Sequence, residues 1–410
     1  MVIHEYGTGN MDTKSPRIIF IHNTAMWYRR PFFSLLSEIY PIKFVFTHLE
    51  VSKDIYDVEI DDKIEGMENV DYTILKDHLG VAFGVIKEAA GDYDIIVGGN
   101  WDSLPEIIET TLYFAIAKLR RKKFILWTED WNWNIKTIKR KLVKIFAQII
   151  IKKADAIVLP GSKQKECVIY LGASPSKVFL MPNASNISKH SIVSSENATE
   201  RETNETPPQN ECSLYDKYPS FKDKKIVLFV GRLVKQKGVE YLLTAFSTLK
   251  KDMSDIILII IGKGNYENEL KKMAQYLHID KDVYFLGHVD NDHLKNYYGP
   301  SDLCVVPSIT HEMVDAWAFV VNEAMYYGNP VIATDAVGSA FDMIKDGKNG
   351  FIVPERDSFA LYNSMKLILS QDELREKMGK CSKEIVDTYF SYKNMVEGFQ
   401  KAISFIKNEK

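Results

Sequence analysis

The chain alternates short apolar strands with helical segments in two separate series, and this alternation restricts its fold more than any other feature. The first series predicts strands at 17–22, 94–97, 124–128 and 156–160. The second series predicts strands at 226–230, 256–261, 283–286, 303–306, 331–333 and 351–353. Strands that alternate with helices form parallel βαβ units. The sequence therefore predicts an α/β protein with two Rossmann-like, doubly wound domains.

A change in composition separates the two series. The segment 186–218 is rich in Ser, Asn, Glu and Thr and has few apolar residues. Such a segment cannot bury enough surface to offset its ordering entropy. We therefore predict a flexible tail at 1–15, a first domain at 16–185 and a linker at 186–220. A second domain is predicted at 221–388, followed by a terminal helix at 389–410.

Composition narrows the class of protein. Of 410 residues, 46% are hydrophobic and 26% charged, which is typical of a globular protein, and the net charge of −3 argues against a nucleic-acid binder. The four cysteines are far apart and form no C-x-x-C pair, so we expect reduced thiols and no zinc site. No apolar run approaches the ~18–20 residues that cross a bilayer. We expect a cytoplasmic protein.

The segment 315–335 predicts a ligand site. Asp315 and Glu323 lie eight positions apart, across a loop that is expected to enter a helix. A Gly-Asn-Pro turn at 328–330 and an apolar strand follow. A helix N-terminus offers backbone N–H groups to an anion. A carboxylate further along the helix can accept hydrogen bonds from ligand hydroxyls.

A second segment predicts a diphosphate site. Gly231 permits a tight turn after a strand, and a helix is expected from Val239. Arg232 and Lys237 place two positive charges near the start of that helix. Cations beside a helix N-terminus suit a pyrophosphate. The alternative is a surface turn with solvated charges.

Together these segments resemble the family-4 (group 1) glycosyltransferases, which are retaining, metal-independent enzymes. The resemblance implies the GT-B fold, in which two Rossmann-like domains face each other across a cleft. The family's usual pattern is Glu-Gly-Phe-Gly-x5-Glu; here Asp315, Ala316 and Ala318 replace the first Glu and the two glycines. Alanine keeps its N–H group but disfavours positive φ, so we expect a loop of altered path.

The resemblance also implies roles for individual residues. Glu323 is expected in the first turn of its helix, where it would hold the ribose hydroxyls, and Asp315 is expected near the transferred sugar. Arg232 and Lys237 would neutralise the leaving diphosphate, so that no metal or cofactor is required. The remaining donor-binding residues are expected to contribute mainly through their backbone: Gly231, His288, Val289, Trp317, Ala318, Phe319 and Val320. Gly262 is a further candidate because it follows the most apolar predicted strand; the alternative there is a plain turn.

In the first domain, which the resemblance assigns to the acceptor, Glu129 follows a predicted strand. Many relatives have a histidine at this place. Glu129 could orient a donor hydroxyl or act as a base on the acceptor. The alternative is an exposed strand end without a catalytic role. The resemblance also implies that the terminal helix returns to the first domain, with Phe390, Tyr392 and Phe399 as candidate contacts.

The helical segment 135–153 is both basic and amphipathic. Apolar residues recur at Ile138, Leu142, Ile145 and Ile149, with lysines and an arginine between them. Such a helix can lie on an anionic bilayer, here the inner face of the cell membrane. Equally, the apolar stripe can be the core face of a helix that covers a sheet.

The sequence thus predicts an enzyme that moves a sugar from a nucleotide-diphosphate sugar to an acceptor hydroxyl. The acceptor would be a glycan or a lipid-linked molecule, in cell-surface or lipid-linked glycan synthesis. One alternative is a nucleotide-sugar 2-epimerase on the same fold. The other is a non-catalytic sugar-nucleotide-binding protein, since two family glycines are missing.

Overall fold

The computed structural model describes residues 15–49, 63–78, 80–101, 103–131, 138–185, 214–311 and 314–408. These residues form two compact units. The first takes those within Met1–Pro160, Gln164–Pro182 and Tyr392–Lys410, and the second those within Gly161–Lys163 and Asn183–Ser391. Each unit is a parallel sheet with packed helices, so the predicted pair of Rossmann-like α/β folds is confirmed.

The first sheet has seven parallel strands in the order β3-β2-β1-β4-β5-β6-β7. They are β1 Ile18–His22, β2 Ile42–Phe46, β3 Tyr72–Ile74, β4 Ile95–Gly98, β5 Lys123–Trp127, β6 Ala156–Leu159 and β7 Val178–Leu180. The second sheet has six parallel strands in the order β10-β9-β8-β11-β12-β13. They are β8 Lys225–Val230, β9 Ile256–Ile261, β10 Val283–Gly287, β11 Leu303–Val306, β12 Val331–Thr334 and β13 Gly350–Val353.

The described α-helices lie between or after these strands. They are α1 Arg30–Ile39, α2 Gly84–Ala89, α3 Leu104–Leu119, α4 Ile138–Lys153, α5 Ser162–Tyr170, α6 Leu214–Lys217, α7 Val239–Asp252, α8 Glu267–Tyr276, α9 Lys295–Tyr298, α10 Phe319–Tyr326, α11 Ala340–Met343, α12 Ser358–Leu369, α13 Asp372–Tyr389 and α14 Tyr392–Asn408. Helix α3 begins with a capping box. Ser103 Oγ accepts from the Glu106 N–H, and the Glu106 carboxylate accepts from the Ser103 N–H.

The strand sequences explain the two cores. The central strand β9 is Ile-Ile-Leu-Ile-Ile-Ile, and all six residues are buried because helices cover both faces of a parallel sheet. Helix α7 contributes a face that includes Leu242, Phe246 and Leu249 to one side of that sheet. The carboxyl ends of the strands therefore form one continuous edge, which is where open α/β sheets bind ligands.

Helix α14 belongs to the first unit although it ends the described chain. Phe399 is buried and stacks on Phe20 of β1, with ring centroids 6.1 Å apart, and the Tyr392 hydroxyl donates to the Tyr28 carbonyl at 2.8 Å. Phe390, the third candidate contact, lies instead in the core of the second unit, 6.1 Å from the Trp317 ring.

The predicted linker extends too far toward the second domain, because its last residues belong to the second unit. Residues 214–220 form α6 and enter a short 3-10 turn, Pro219–Phe221, with Leu214 and Phe221 buried in the second unit. An aromatic contact attaches this segment to the second unit, since the centroid of the Phe221 ring lies 4.5 Å from that of Tyr284. The rest of the linker, 186–213, and residues 1–14 of the predicted tail lie outside the described residues.

Candidate active site

The carboxyl edge of the second sheet brings the predicted donor-binding turns together. Gly231 follows β8, Gly262 follows β9, and Gly287 ends β10. The Gly231 N–H donates to the Ile261 carbonyl at 2.9 Å, and the Gly262 N–H donates to the Gly287 carbonyl at 2.7 Å. These bonds continue the sheet pairing into the turns, so the three glycines line one edge.

Two glycines at this edge are required by backbone geometry. Gly262 has φ +137°, and a Cβ there would lie 1.9 Å from the Gly231 carbonyl oxygen. Gly238 has φ +62°, and its Cβ would lie 2.0 Å from the Pro307 carbonyl oxygen. Gly238 closes a 3-10 turn, Lys235–Lys237, and directly precedes α7. This turn fixes Lys237 near the N-terminus of α7.

Lys237 and Asp315 form the centre of the candidate site. Lys237 Nζ donates to Asp315 Oδ2 at 2.6 Å, and Ser308 Oγ donates to the same oxygen at 2.8 Å. The side chains of Lys237 and Asp315 are 19% and 11% exposed. The Asp315 carbonyl also accepts from the Gly338 N–H at 2.8 Å. The fold thus joins two predicted catalytic residues that lie 78 positions apart in the sequence.

The other predicted polar side chains of this edge are more exposed. Arg232 follows Gly231 directly, and its side chain is exposed. His288 is also exposed, with its Nε2 3.4 Å from Asp290 Oδ1, while Val289 packs partly against the core. The expected backbone contact of residues 288 and 289 with a nucleotide base remains a prediction.

The loop that enters α10 accommodates alanine without strain. Within 314–318, no residue has a positive φ, so Ala316 and Ala318 have ordinary backbone conformations. Trp317 is buried, and its Nε1–H donates to Asn322 Oδ1 at 3.0 Å. The two alanines thus do not force a strained path here, although the usual family residues at both positions are glycine.

Helix α10 directs its N-terminus toward this loop. Ala318 is the N-cap and makes no side-chain cap, and Phe319 and Val320 are the first two helical residues. The first N–H groups of a helix have no intrahelical acceptor and carry the positive end of the helix dipole. Glu323 is the fifth helical residue, in the second turn and not the first as expected.

Tyr298 holds Glu323. The Tyr298 side chain is fully buried, and its hydroxyl donates to Glu323 Oε2 at 2.7 Å. Its ring stacks on that of Tyr327, with centroids 5.7 Å apart. Burial raises the pKa of Glu323 above its ordinary value of 4.5, and the hydrogen bond from Tyr298 opposes this increase. Because Oε2 already has a donor, Oε1 can accept from ligand hydroxyls.

In the first unit, Glu129 lies just beyond β5 and is paired with Arg29. The Arg29 guanidinium donates to Glu129 Oε1, and it lies 4.7 Å from the ring centroid of Trp127. Arg29 is buried, whereas Glu129 is partly exposed. The ion pair and the cation–π contact fix the position of the Glu129 carboxylate. Its predicted role toward a donor hydroxyl or an acceptor remains a prediction.

The next residue, Asp130, connects β5 to α4. Arg140 in the first turn of α4 donates to both Asp130 oxygens, at 2.7 and 3.1 Å, and the Trp101 Nε1–H donates at 2.9 Å. A bidentate pair of this kind is geometrically specific. The N-terminal end of α4 is therefore attached to the strand end that carries Glu129.

Sequence reasoning missed three side chains that organise these groups. Ser308 could have been found, because it follows β11 at the same edge as Gly231 and Gly262. Tyr298 gives no sequence signal, since it lies 25 positions from Glu323 in a helix of four residues. Arg29 gives no sequence signal either, since it lies 100 positions from Glu129. Among the described residues, no group of three or more His, Cys, Asp or Glu is suited to a metal ion.

Comparisons with known proteins agree with this geometry. Residues 214–385 match the family described as glycosyl transferases group 1. An uncharacterized glycosyltransferase of Methanocaldococcus jannaschii is 32% identical over 43% of each chain. A phosphatidyl-myo-inositol mannosyltransferase of Mycobacterium leprae is 34% identical, over 40% of this chain and 42% of that protein. These two alignments thus span less than half of either relative.

A comparison of structures tests the fold. The crystal structure of Anabaena HepE in complex with UDP and glucose has a TM-score of 0.70 with this chain. The alignment covers 95% of this chain and 99% of HepE at 15% sequence identity. This confirms the GT-B fold. The family match over residues 214–385 and the names of these relatives agree with the predicted enzyme class, a glycosyltransferase.

Proposed function

We propose that this glycosyltransferase is a retaining, metal-independent enzyme that transfers a sugar from a nucleotide-diphosphate sugar to an acceptor hydroxyl. The observation that carries the proposal is the ion pair of Lys237 and Asp315, whose Nζ and Oδ2 atoms are 2.6 Å apart. Asp315 lies three residues before the N-cap of α10. A held cation and a helix N-terminus are two elements that stabilise a diphosphate. Both occur in the segment that matches the glycosyltransferase family.

Lys237 is proposed to act on the leaving group. When the bond between the sugar's anomeric carbon and the diphosphate oxygen breaks, its electron pair remains on that oxygen. Lys237 Nζ, the first N–H groups of α10 and the exposed Arg232 would meet this charge. Lys237 is held by Asp315, which also accepts a hydrogen bond from Ser308, so little reorganisation is needed; this is the condition for strong electrostatic catalysis. These groups would replace a divalent metal.

Glu323 is proposed to bind the ribose. Its Oε2 accepts from Tyr298, which fixes the carboxylate and leaves Oε1 for a ribose hydroxyl. Because burial raises its pKa, Glu323 takes up a proton at a higher pH than an ordinary glutamate does. Ribose binding should then strengthen as pH rises through this pKa, because the ionised carboxylate is the better acceptor.

The acceptor is proposed to be a lipid-linked molecule or another glycan, reached on the cytoplasmic face of a membrane. The Mycobacterium leprae relative is by name a phosphatidyl-myo-inositol mannosyltransferase, which supports a lipid-linked acceptor. Glu129, held by Arg29, would orient a donor hydroxyl or accept the proton of the acceptor hydroxyl. The product would enter cell-surface or lipid-linked glycan synthesis.

Thermal-shift measurements with UDP-, GDP- and ADP-sugars test the donor. UDP-glucose is a suitable first probe, because HepE was solved with UDP and glucose. A true donor present at a hundred times its Kd should stabilise the protein by about 2.7 kcal/mol. If no nucleotide sugar raises the Tm, the donor site is refuted.

Product analysis tests the reaction. Incubation with donor and a lipid-linked acceptor should release the nucleoside diphosphate and form a glycoside with the donor's anomeric configuration, as read by NMR. Activity should persist in EDTA. Release of the nucleoside diphosphate with an altered free sugar and no glycoside would indicate an epimerase instead.

A further inference from the structure

Helix α4 has two apolar faces, and only one of them packs into the core. Val143, Ala147, Ile150 and Ile151 are buried in the first unit. The opposite face carries five large apolar side chains that are 46% to 79% exposed: Ile138, Leu142, Ile145, Phe146 and Ile149. The stripe seen in the sequence is therefore a solvent-facing surface and not the core face. Single exposed apolar residues are common, but a row of five on one helix indicates an interaction site.

The charge around this apolar stripe has one sign. The sequence of α4, Ile138–Lys153, contains five lysines and one arginine and no acidic residue. Lys141, Lys152 and Lys153 are exposed, and Lys144 lies 5.6 Å from the ring centroid of the exposed Tyr170. Arg140 is used internally, in its pair with Asp130. The partner of this surface must therefore accept apolar side chains and carry negative charge.

The neighbouring helix also exposes apolar side chains. Helix α3 packs against α4, and two of its side chains, Leu104 and Ile108, are 45% and 47% exposed. Both lie in the first two turns of α3.

We propose that α4 docks this protein on an anionic lipid bilayer. The helix would lie in the plane of the membrane, with the apolar stripe among the acyl chains and the lysines at the phosphate level. Among the helices in the described part of the chain, none is long and apolar enough to cross a bilayer. A second copy of this chain fits less well. Pairing two α4 surfaces about a two-fold axis would place lysines against lysines.

The same surface is connected to the predicted acceptor side. Arg140 joins the first turn of α4 to Asp130, which follows Glu129. A docked α4 would hold the end of β5 near the lipid headgroups, where a lipid-borne acceptor presents its hydroxyl. This last step rests on the proposed function, whereas docking itself does not depend on any enzymatic activity.

Vesicle flotation tests the docking directly. The full chain is mixed with vesicles of phosphatidylcholine alone or of phosphatidylcholine with phosphatidylglycerol, without any nucleotide sugar. We expect binding to the anionic vesicles that weakens with added salt. Lys141→Gln with Lys144→Gln should lower the partition coefficient about 25-fold, because each lysine near the surface contributes about fivefold. The matched control is Lys272→Gln with Lys281→Gln, two exposed lysines of the second unit.

A second variant tests the apolar face. Ile145→Ser with Ile149→Ser should also abolish flotation, while the Tm stays at the wild-type value because both side chains are exposed. Wild-type protein that fails to float with either vesicle would overturn the proposal. Vesicle binding that neither the lysine variant nor the isoleucine variant reduces would also overturn it. So would a wild-type dimer, seen in sedimentation, that the isoleucine variant dissociates while its flotation stays unchanged. If the wild-type protein floats with anionic vesicles but binds no nucleotide sugar, only the proposed donor site is refuted.

Discussion

Replacing Lys237 by alanine should lower kcat by about 30- to 1,000-fold. Removing one preorganised donor to a developing negative charge costs about 2–4 kcal/mol of transition-state stabilisation, and each 1.36 kcal/mol is tenfold in rate. The structure supports the upper part of this range. The Lys237 side chain is only 19% exposed, and it is held by Asp315 at 2.6 Å, so water replaces it poorly.

The same substitution should also reduce the free energy of unfolding. Among the described residues, Ser308 would remain as the side-chain donor to Oδ2 of Asp315, whose side chain is 11% exposed. A buried acceptor that loses a partner costs about 1–3 kcal/mol. Urea unfolding measures this loss, and steady-state release of the nucleoside diphosphate measures kcat.

A double variant separates the two effects. Lys237→Ala with Asp315→Asn removes the unpaired charge, so the free energy of unfolding should recover. Activity should not recover, because the cation is still missing at the leaving group. If the double variant regains most of the wild-type kcat, Lys237 serves only to neutralise Asp315, and the reasoning about the leaving diphosphate is refuted.

Further predictions concern the ribose site, the glycine edge and the acceptor side. The Kd of the preferred nucleotide sugar should fall as pH rises through the raised pKa of Glu323, and Glu323→Gln should remove this dependence in calorimetric titrations. Tyr298→Phe should weaken nucleotide-sugar binding about fivefold, the equivalent of ~1 kcal/mol for one hydrogen bond, and unchanged affinity would contradict its positioning role. Gly262→Ala should lower the free energy of unfolding by at least about 2 kcal/mol, since its Cβ meets a carbonyl oxygen at 1.9 Å; Gly347→Ala, with positive φ but open space, should cost less. Glu129→Gln should lower kcat without changing the Kd of the donor's nucleoside diphosphate, whereas a loss confined to that Kd would place Glu129 outside the acceptor chemistry.

The stability consequence of Glu323 follows from the direction of its shift. A carboxyl group whose pKa is raised in the folded protein stabilises the fold relative to the unfolded chain at pH below 4.5. That contribution is lost as pH rises through the folded pKa. Wild-type protein should therefore lose more free energy of unfolding over this window than Glu323→Gln, as measured by urea titrations at several pH values.

The fold was largely predictable because its strands are short and distinctly apolar. Strands such as β9, with six buried aliphatic residues, are evident from composition alone. Three strands of the first unit were missed, β2 Ile42–Phe46, β3 Tyr72–Ile74 and β7 Val178–Leu180. The last two have three residues each, and β3 is only half-buried. Such short elements are defined by their neighbours in the sheet more than by their own sequence.

The positions of the candidate site residues were predictable where they depend on the ends of strands and on turns. Gly231, Gly262 and Lys237 follow strands or turns whose ends the sequence marks. Pairings between distant residues were not predictable, since Tyr298 reaches Glu323, and Arg29 reaches Glu129, only through the fold. The sequence also did not show whether the apolar stripe of α4 is exposed. Helical periodicity indicates that a face is apolar, but not which side of the helix is buried.

The most direct test compares two ligands on two variants. Calorimetric Kd values are measured for the nucleoside and for the nucleoside diphosphate of the preferred donor, on wild-type protein, Lys237→Ala and Lys272→Ala. Lys237→Ala should weaken the diphosphate about 10- to 100-fold, as expected for a hydrogen bond between charged groups, and leave the nucleoside unchanged. Lys272→Ala should affect neither ligand. Equal weakening of both ligands by Lys237→Ala, or of neither, would contradict a cationic diphosphate site at Lys237.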